Sequence, residues 1–148
     1  MYDSSIDAHH HIYNIQWVWA NLIRPALDER FDTHDQSKLE PPEKECYDKY
    51  IPLLKKYKYG TPEYMEVKEA MKKEGMGHHI AVNRHHPEHF KNGISDMNLI
   101  DLVEHICDCY AASMNSDTGF DVGMQKNAER FHYPKELQEI IHNTSTEV

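Results

Sequence analysis

The sequence predicts an all-α fold, a single-domain helical bundle of about six helices over residues 1–148. Three observations predict it. Apolar residues recur every three or four positions in several long stretches, the period of a helix with one buried side. No stretch of useful length alternates apolar and polar residues as a half-buried strand does. Helix-start signals punctuate the chain, with a proline just inside a stretch or a threonine just before it. A chain of 148 residues suits one domain and buries roughly two-thirds of its unfolded surface, so it needs no disulfide or structural metal to fold.

The first helix is expected from Ile6 to Asp28, with a buried stripe of His11, Ile15, Val18 and Leu22 flanked by Ile12, Trp19 and Ile23. His11 falls at the inner edge of that stripe, as a metal ligand or as a hydrogen-bonded core histidine. After a turn near Pro25 come Phe31 and the His34-Asp35 pair. Pro41-Pro42 opens a second helix to about Lys58, with Glu43 in its first turn, where a carboxylate suits the helix dipole. Its inner face is Cys46, Tyr50, Leu53, Leu54 and Tyr57, and Pro52 is expected to kink or split it.

Thr61 as N-cap and Pro62 at the first position open a third helix carrying Met65, Ala70 and Met71. Gly75 and Gly77 weaken its continuation, and a short helix carrying His78, His79, Val82 and Asn83 follows. Pro87 makes His86 extended, so Asn83 to Phe90 reads as a loop. Asp96 or Asn98 caps the next helix, from about Met97 to Met114, with an apolar stripe of Leu99, Leu102, Val103, Ile106 and Tyr110. Asp101, Glu104 and Asp108 lie opposite that stripe. They form either a solvated face or, in a helix buried on both sides, part of a polar centre. Ser116 to Gly123 reads as a loop and Gln125 to Phe131 as a short helix. Pro134 opens the last helix, with Leu137, Ile140 and Ile141 inward, and residues 143–148 are expected to fray.

Composition narrows the function. Charged residues are 28%, the hydrophobic class 39% and the formal net charge −9; the mean hydropathy is −0.79. A balance this acidic argues against duplex nucleic acid as a partner, but not against a small anion, because a bound cation inverts the local field. No apolar run approaches the roughly 20 residues that span a bilayer, so no membrane partner is expected. Asp3 and Asp7 stand where a secretory leader carries positive charge, and the cysteine count of three is odd, so the expected location is the cytoplasm. Cys107 and Cys109 point about 200° apart on a helix and do not suit one ion.

Histidine is the outlier, at twelve residues. His34-Asp35 offers an imidazole and a carboxylate to one cation, and the second carboxylate oxygen can reach another. Lys38, about one turn on, can meet an anionic oxygen. His79, His85, His86 and His89 fall within a dozen residues, which core packing explains poorly; the other reading is an exposed polar loop. With His11 upstream and Asp108 downstream, these residues form a candidate metal site for phosphoester hydrolysis.

The order His11, His34-Asp35, Asp108 resembles the HD superfamily of metal-dependent phosphohydrolases. That resemblance implies an HD-domain-like helical bundle in which His11, His34, Asp35 and Asp108 hold one divalent cation. The spacing His34-Asp35-x-x-Lys38, followed by His79 and then His85-His86, is similar to the HD-GYP branch. It implies a second metal bridged by Asp35 and held by His79 and His86, with His85 or His89 as substitutes. The GYP signature itself is missing, so a cyclic dinucleotide substrate does not follow.

Nearly the whole chain also resembles an uncharacterised family of small bacterial and phage proteins. The matching pieces include His11-Ile12, His34-Asp35-x-Ser37-Lys38, Glu43, Asn83-Arg84-His85-His86-Pro87-Glu88-His89 and Leu99 to Asp108. That family usually has Met after the Glu and Trp after the last Asp, where this chain has His105 and Cys109.

The chemistry expected is hydrolysis of a nucleotide or other small phosphoester, mono- or cyclic diester, by metal-activated water. Imidazoles with carboxylates suit one or two ions of Mn, Fe, Co, Ni or Zn. The metal would lower the pKa of a bound water to roughly 7. Lys38 and Arg84 are expected to offset charge on the phosphoryl oxygens, with Asn83 beside them. Glu43 or Glu104 would orient the water or act as base, and His89 would protonate the leaving oxygen. The competing classes are a non-catalytic metal-binding protein and a phage-type interaction protein acting through its acidic surface.

Overall fold

A computed structural model describes residues 3–114 and 119–147, and it is all-α: six helices joined by short turns, with no strand among the described residues. Residues 116–118 of the expected loop lie outside that range. None of the described helices is long and apolar enough to cross a membrane. The chain divides into two compact units, Met1–His34 and Asp35–Val148.

The first unit is one helix, α1, built from Ser4–Val18, a π-helical turn Trp19–Ile23 and Arg24–Thr33. Asp3 Oδ1 caps its start by accepting from the Ser5 amide at 3.0 Å. The helix does not turn at Pro25. The π-helical turn immediately before that proline accommodates the amide hydrogen it lacks. The stripe expected to be buried is exposed, Ile12, Ile15, Trp19 and Leu22 each by about half, and His11 with it. The physical reason is that a unit consisting of a single helix has no second surface on which to bury a face. His34 leaves the helical region at ψ 126° and ends the helix.

The second unit opens with a 3₁₀ turn, Gln36–Leu39, and then α2, Glu43–Leu54. α2 continues two residues past Pro52 and ends four residues short of the expected Lys58. It buries Glu43, Cys46 and Tyr50 at i, i+3 and i+7, while Tyr57, expected inside, is 40% exposed. α3 runs continuously from Pro62–Met71 through a π-helical turn Lys72–Met76 to Gly77–Val82. The Thr61 hydroxyl accepts from the Tyr64 amide, the cap its sequence signalled.

The glycines do not break α3, because one of them lets it dock. A Cβ on Gly75 would stand 2.5 Å from Cys46 Cβ, so only glycine permits this approach of α3 to α2. Cys46, Tyr50 and Met71 form the core between the two helices.

Two 3₁₀ turns, Pro87–His89 and Gly93–Asp96, lead to α4, Leu99–Met114. Asn98 caps it reciprocally with Asp101: each backbone amide donates to the other's side chain, at 2.9 and 3.1 Å. α4 settles the two readings of its acidic face. Its buried residues are Asp101, Glu104 and His105, whereas Leu99 of the apolar stripe is 66% exposed. α5, Gly119–Phe131, starts six residues before the expected Gln125. α6, Lys135–Ser145, stays helical through residues 143–145, which were expected to fray. Met124, Ala128, Tyr133 and Ile141 form a second core. Ile140, expected inward, is 60% exposed because it lies one position round the helix from Ile141.

Candidate metal centre

Asp35 is the first piece of the site. It adopts a left-handed conformation, φ 57°, tolerated by aspartate better than by most residues. The following 3₁₀ turn carries Lys38 back over it, so that Lys38 Nζ bonds Asp35 Oδ2. The lysine also lies 5.4 Å above the Tyr47 ring. One carboxylate oxygen is thus held by a cation of the chain itself. The other, Oδ1, lies 3.3 Å from His79 Nε2 and 3.5 Å from His85 Nε2.

His79 comes from the last turns of α3 and is 1% exposed. Its Nδ1 lies 2.8 Å from Glu43 Oε2. Glu43 also accepts from the Ser37 hydroxyl at 2.9 Å and pairs with His78 Nδ1 at 2.7 Å. Burial pushes the Glu43 carboxyl up, but the bonds from His78, Ser37 and His79 together outweigh it and hold the group below its ordinary range. An ionised carboxylate only accepts, so the His79 proton sits on Nδ1 and the Nε2 lone pair is left facing inward.

His85 follows three residues after the end of α3. It is 1% exposed, and its Nδ1 lies 3.2 Å from Oε1 of the buried Glu104 on α4. His86 completes the group, with Nε2 2.8 Å from His79 Nε2. The three histidines offer nitrogen atoms that all lie within 4.8 Å of one another. Burial, with the neighbouring His85 and His79, pushes the His86 pKa down to about 3, and burial together with Lys38 lowers that of His79. Neutral imidazoles are the protonation state a metal requires. The donor chemistry fits a divalent transition ion: three imidazole nitrogens and a carboxylate oxygen, with two ligands oriented by buried carboxylates.

The structure places the remaining sequence candidates as follows. Asp108, one turn beyond Glu104, lines a cleft with His86, and its charge favours the protonated form of that histidine. Glu43 and Glu104, expected to act on water, stand beside His79 and His85 at 2.8 and 3.2 Å. Arg84 forks onto the fully buried Asp101 at 2.9 and 2.8 Å, and Asn83 donates to Ser37 Oγ and to the His79 carbonyl, both at 2.8 Å. Both are tied into the scaffold where substrate contacts were expected. His89 Nδ1 donates to the Ile80 carbonyl at 3.1 Å. His11 is exposed and His34 half-buried, within the first unit.

Sequence reasoning gave Ser37 and His78 no part in the site, and it named Glu43 and Glu104 as groups acting on water, whereas the structure sets them beside His79 and His85. The available signal was Glu43 itself, an acid that shares the second helix's inner face with Cys46 and Tyr50.

A family model described as a family of unknown function (DUF5662) matches residues 2–148. No curated protein and no solved structure matches the chain.

Proposed function

We propose that this chain, which belongs to the DUF5662 family of unknown function, is a metal-dependent phosphohydrolase acting on a nucleotide or other small phosphoester. The observation that carries the reading is the pair of buried glutamates, Glu43 and Glu104. They stand behind His79 and His85, whose Nε2 atoms converge with His86 Nε2 and Asp35 Oδ1. Carboxylates behind histidines are the usual outer partners of metal ligands, and two such pairs facing one point are costly to keep for packing alone.

Asp35, His79, His85 and His86 would hold the ion, one of Mn, Fe, Co, Ni or Zn. Bound there, the cation supplies Lewis acidity toward a phosphoryl oxygen and hydroxide near neutral pH. The chain's own groups set the frame. Lys38 holds the Asp35 carboxylate through Oδ2, and Oδ1 faces His79 and His85. Glu43 holds the His79 imidazole in one tautomer, and Glu104 stands 3.2 Å from His85 Nδ1. Asp108, which lines the same cleft as His86, would orient an entering water or substrate.

A non-catalytic metal site is the second reading, favoured by the burial of His79 and His85 at 1% exposure each. The open cleft at His86 favours hydrolysis. The deciding experiment is metal content by mass spectrometry on wild type and Asp35→Ala, with hydrolysis of mono- and bis-p-nitrophenyl phosphate in added Mn²⁺. The proposal expects near-stoichiometric metal and turnover, both lost in the variant. Metal without turnover supports the second reading, and no metal under any supplementation defeats both.

A further inference from the structure

The geometry points to the cleft between α4 and α5 as the binding site for the organic group of the phosphoester, an aryl or nucleoside moiety seated over Gly123. This inference rests on the metal reading above and adds to it the substrate class.

The cleft is about 560 Å³, and His86 and Asp108 are among the residues that line it. Clefts of roughly 300–1,000 Å³ take small organic ligands, and an inorganic anion alone fills little of that space. α4 contributes the small residues Ala112 and Ser113, and α5 contributes Gly119 and Gly123. A glycine inside a helix is costly and needs a reason. At Gly75 the reason is close packing on Cys46. At Gly123 an added Cβ would meet nothing within 4 Å. The space above Gly123 is open, on the side that lines the cleft.

The lining offers an aromatic residue and a cation. Phe131 lies in the cleft wall, its ring beside the Arg130 guanidinium at 4.6 Å, and that arginine is paired with Glu88. Lys126, one turn beyond Gly123 on the same side of α5, also lines the cleft and makes no ion pair with any described residue. Asn127 donates to Cys109 Sγ at 3.2 Å, fixing the α4–α5 wall where it approaches His105. Wall, floor and His86 thus belong to one continuous recess.

The test uses the full chain loaded with Co²⁺, whose visible spectrum reports ligands entering its coordination sphere. Two probes are titrated, phenylphosphonate and inorganic phosphate. The expected result is at least tenfold tighter binding of phenylphosphonate. Gly123→Leu should abolish that preference while leaving cobalt content and phosphate affinity within twofold of wild type. Replacing a helical glycine whose Cβ position is open keeps the variant folded, and Gly123→Ala, which fills less of the cleft, should retain most of the preference. Equal affinity for the two probes in wild type, or an undiminished preference in Gly123→Leu, overturns the inference with the metal reading intact. Failure to take up cobalt overturns the metal reading and this inference with it.

Discussion

Glu43 Oε2 lies 2.8 Å from His79 Nδ1, and neither side chain reaches solvent, at 0% and 1% exposure. The pair fixes which ring nitrogen carries the proton. Glu43→Gln can present an amide N–H to the same nitrogen and reverse the tautomer. Metal affinity should then fall about 10–100-fold, the usual effect of losing an outer carboxylate. Glu104→Gln should do the same through His85. Competition with a chromophoric chelator measures both, and affinities within twofold of wild type would show that these carboxylates do not orient ligands.

Metal removal should lower thermal stability. An ion that binds only the folded chain stabilises it by about 2.7 kcal/mol at a hundredfold excess over Kd. For a chain of this size that is a Tm difference of roughly 5–11 °C between metal-loaded and chelator-treated protein. Differential scanning fluorimetry with Mn²⁺, Co²⁺, Ni²⁺ and Zn²⁺ reads it, and a Tm unmoved by all four contradicts the site.

Acid should destabilise the metal-free protein well above the carboxylate range. The His86 pKa is pushed down to about 3 from its ordinary 6.5, and His79 and His105 are also lowered, each chiefly by burial. A group whose folded pKa lies below its unfolded one binds protons preferentially in the unfolded chain. Its contribution is complete above 6.5 and is lost as pH falls from there toward 3. Between pH 7.5 and 5, His86 alone should cost about 2 kcal/mol. Urea denaturation in chelator at the two pH values checks this; His86→Gln should show a smaller loss.

Arg84 separates a scaffold role from a substrate role. Its guanidinium forks onto Asp101, which is fully buried. Arg84→Ala takes the cation from that carboxylate, leaving it the Asn98 amide, and should destabilise the fold by about 2 kcal/mol. A variant with wild-type urea midpoint but impaired hydrolysis would return Arg84 to the substrate.

Gly75→Ala should cost about 1–3 kcal/mol, since the new methyl group would overlap Cys46 Cβ at 2.5 Å. Relief in the double variant with Cys46→Gly, measured as a coupling in denaturation midpoints, would locate the clash between these two residues.

Much of the fold was legible because helical signals are local. Thr61-Pro62 marks a helix start whose cap bond closes within three residues, and the histidine spacing from His79 to His86 is a property of neighbouring positions. The hidden parts depend on distant partners. Glu43 and His79 are 36 residues apart, and nothing near Glu43 in sequence announces a histidine. α4 misled for the same reason. Hydropathy turns its leucines inward, but Asp101, Glu104 and His105 go in because Arg84, His85 and Tyr133 wait for them. The stripe on α1 shows a different limit: periodicity identifies a side that can be buried, not what buries it.

That triplet on α4 also fixes where the helix can lie along its axis. Greasy surfaces slide past one another at small cost, since one methyl neighbour substitutes for the next. Asp101, Glu104 and His105 meet three chemically unlike partners, a guanidinium, an imidazole and a phenol. Displacing α4 by a single turn would separate all three at once and offer none a substitute. The helix is keyed in its seat, and Asp108 is carried into the cleft on the same rod.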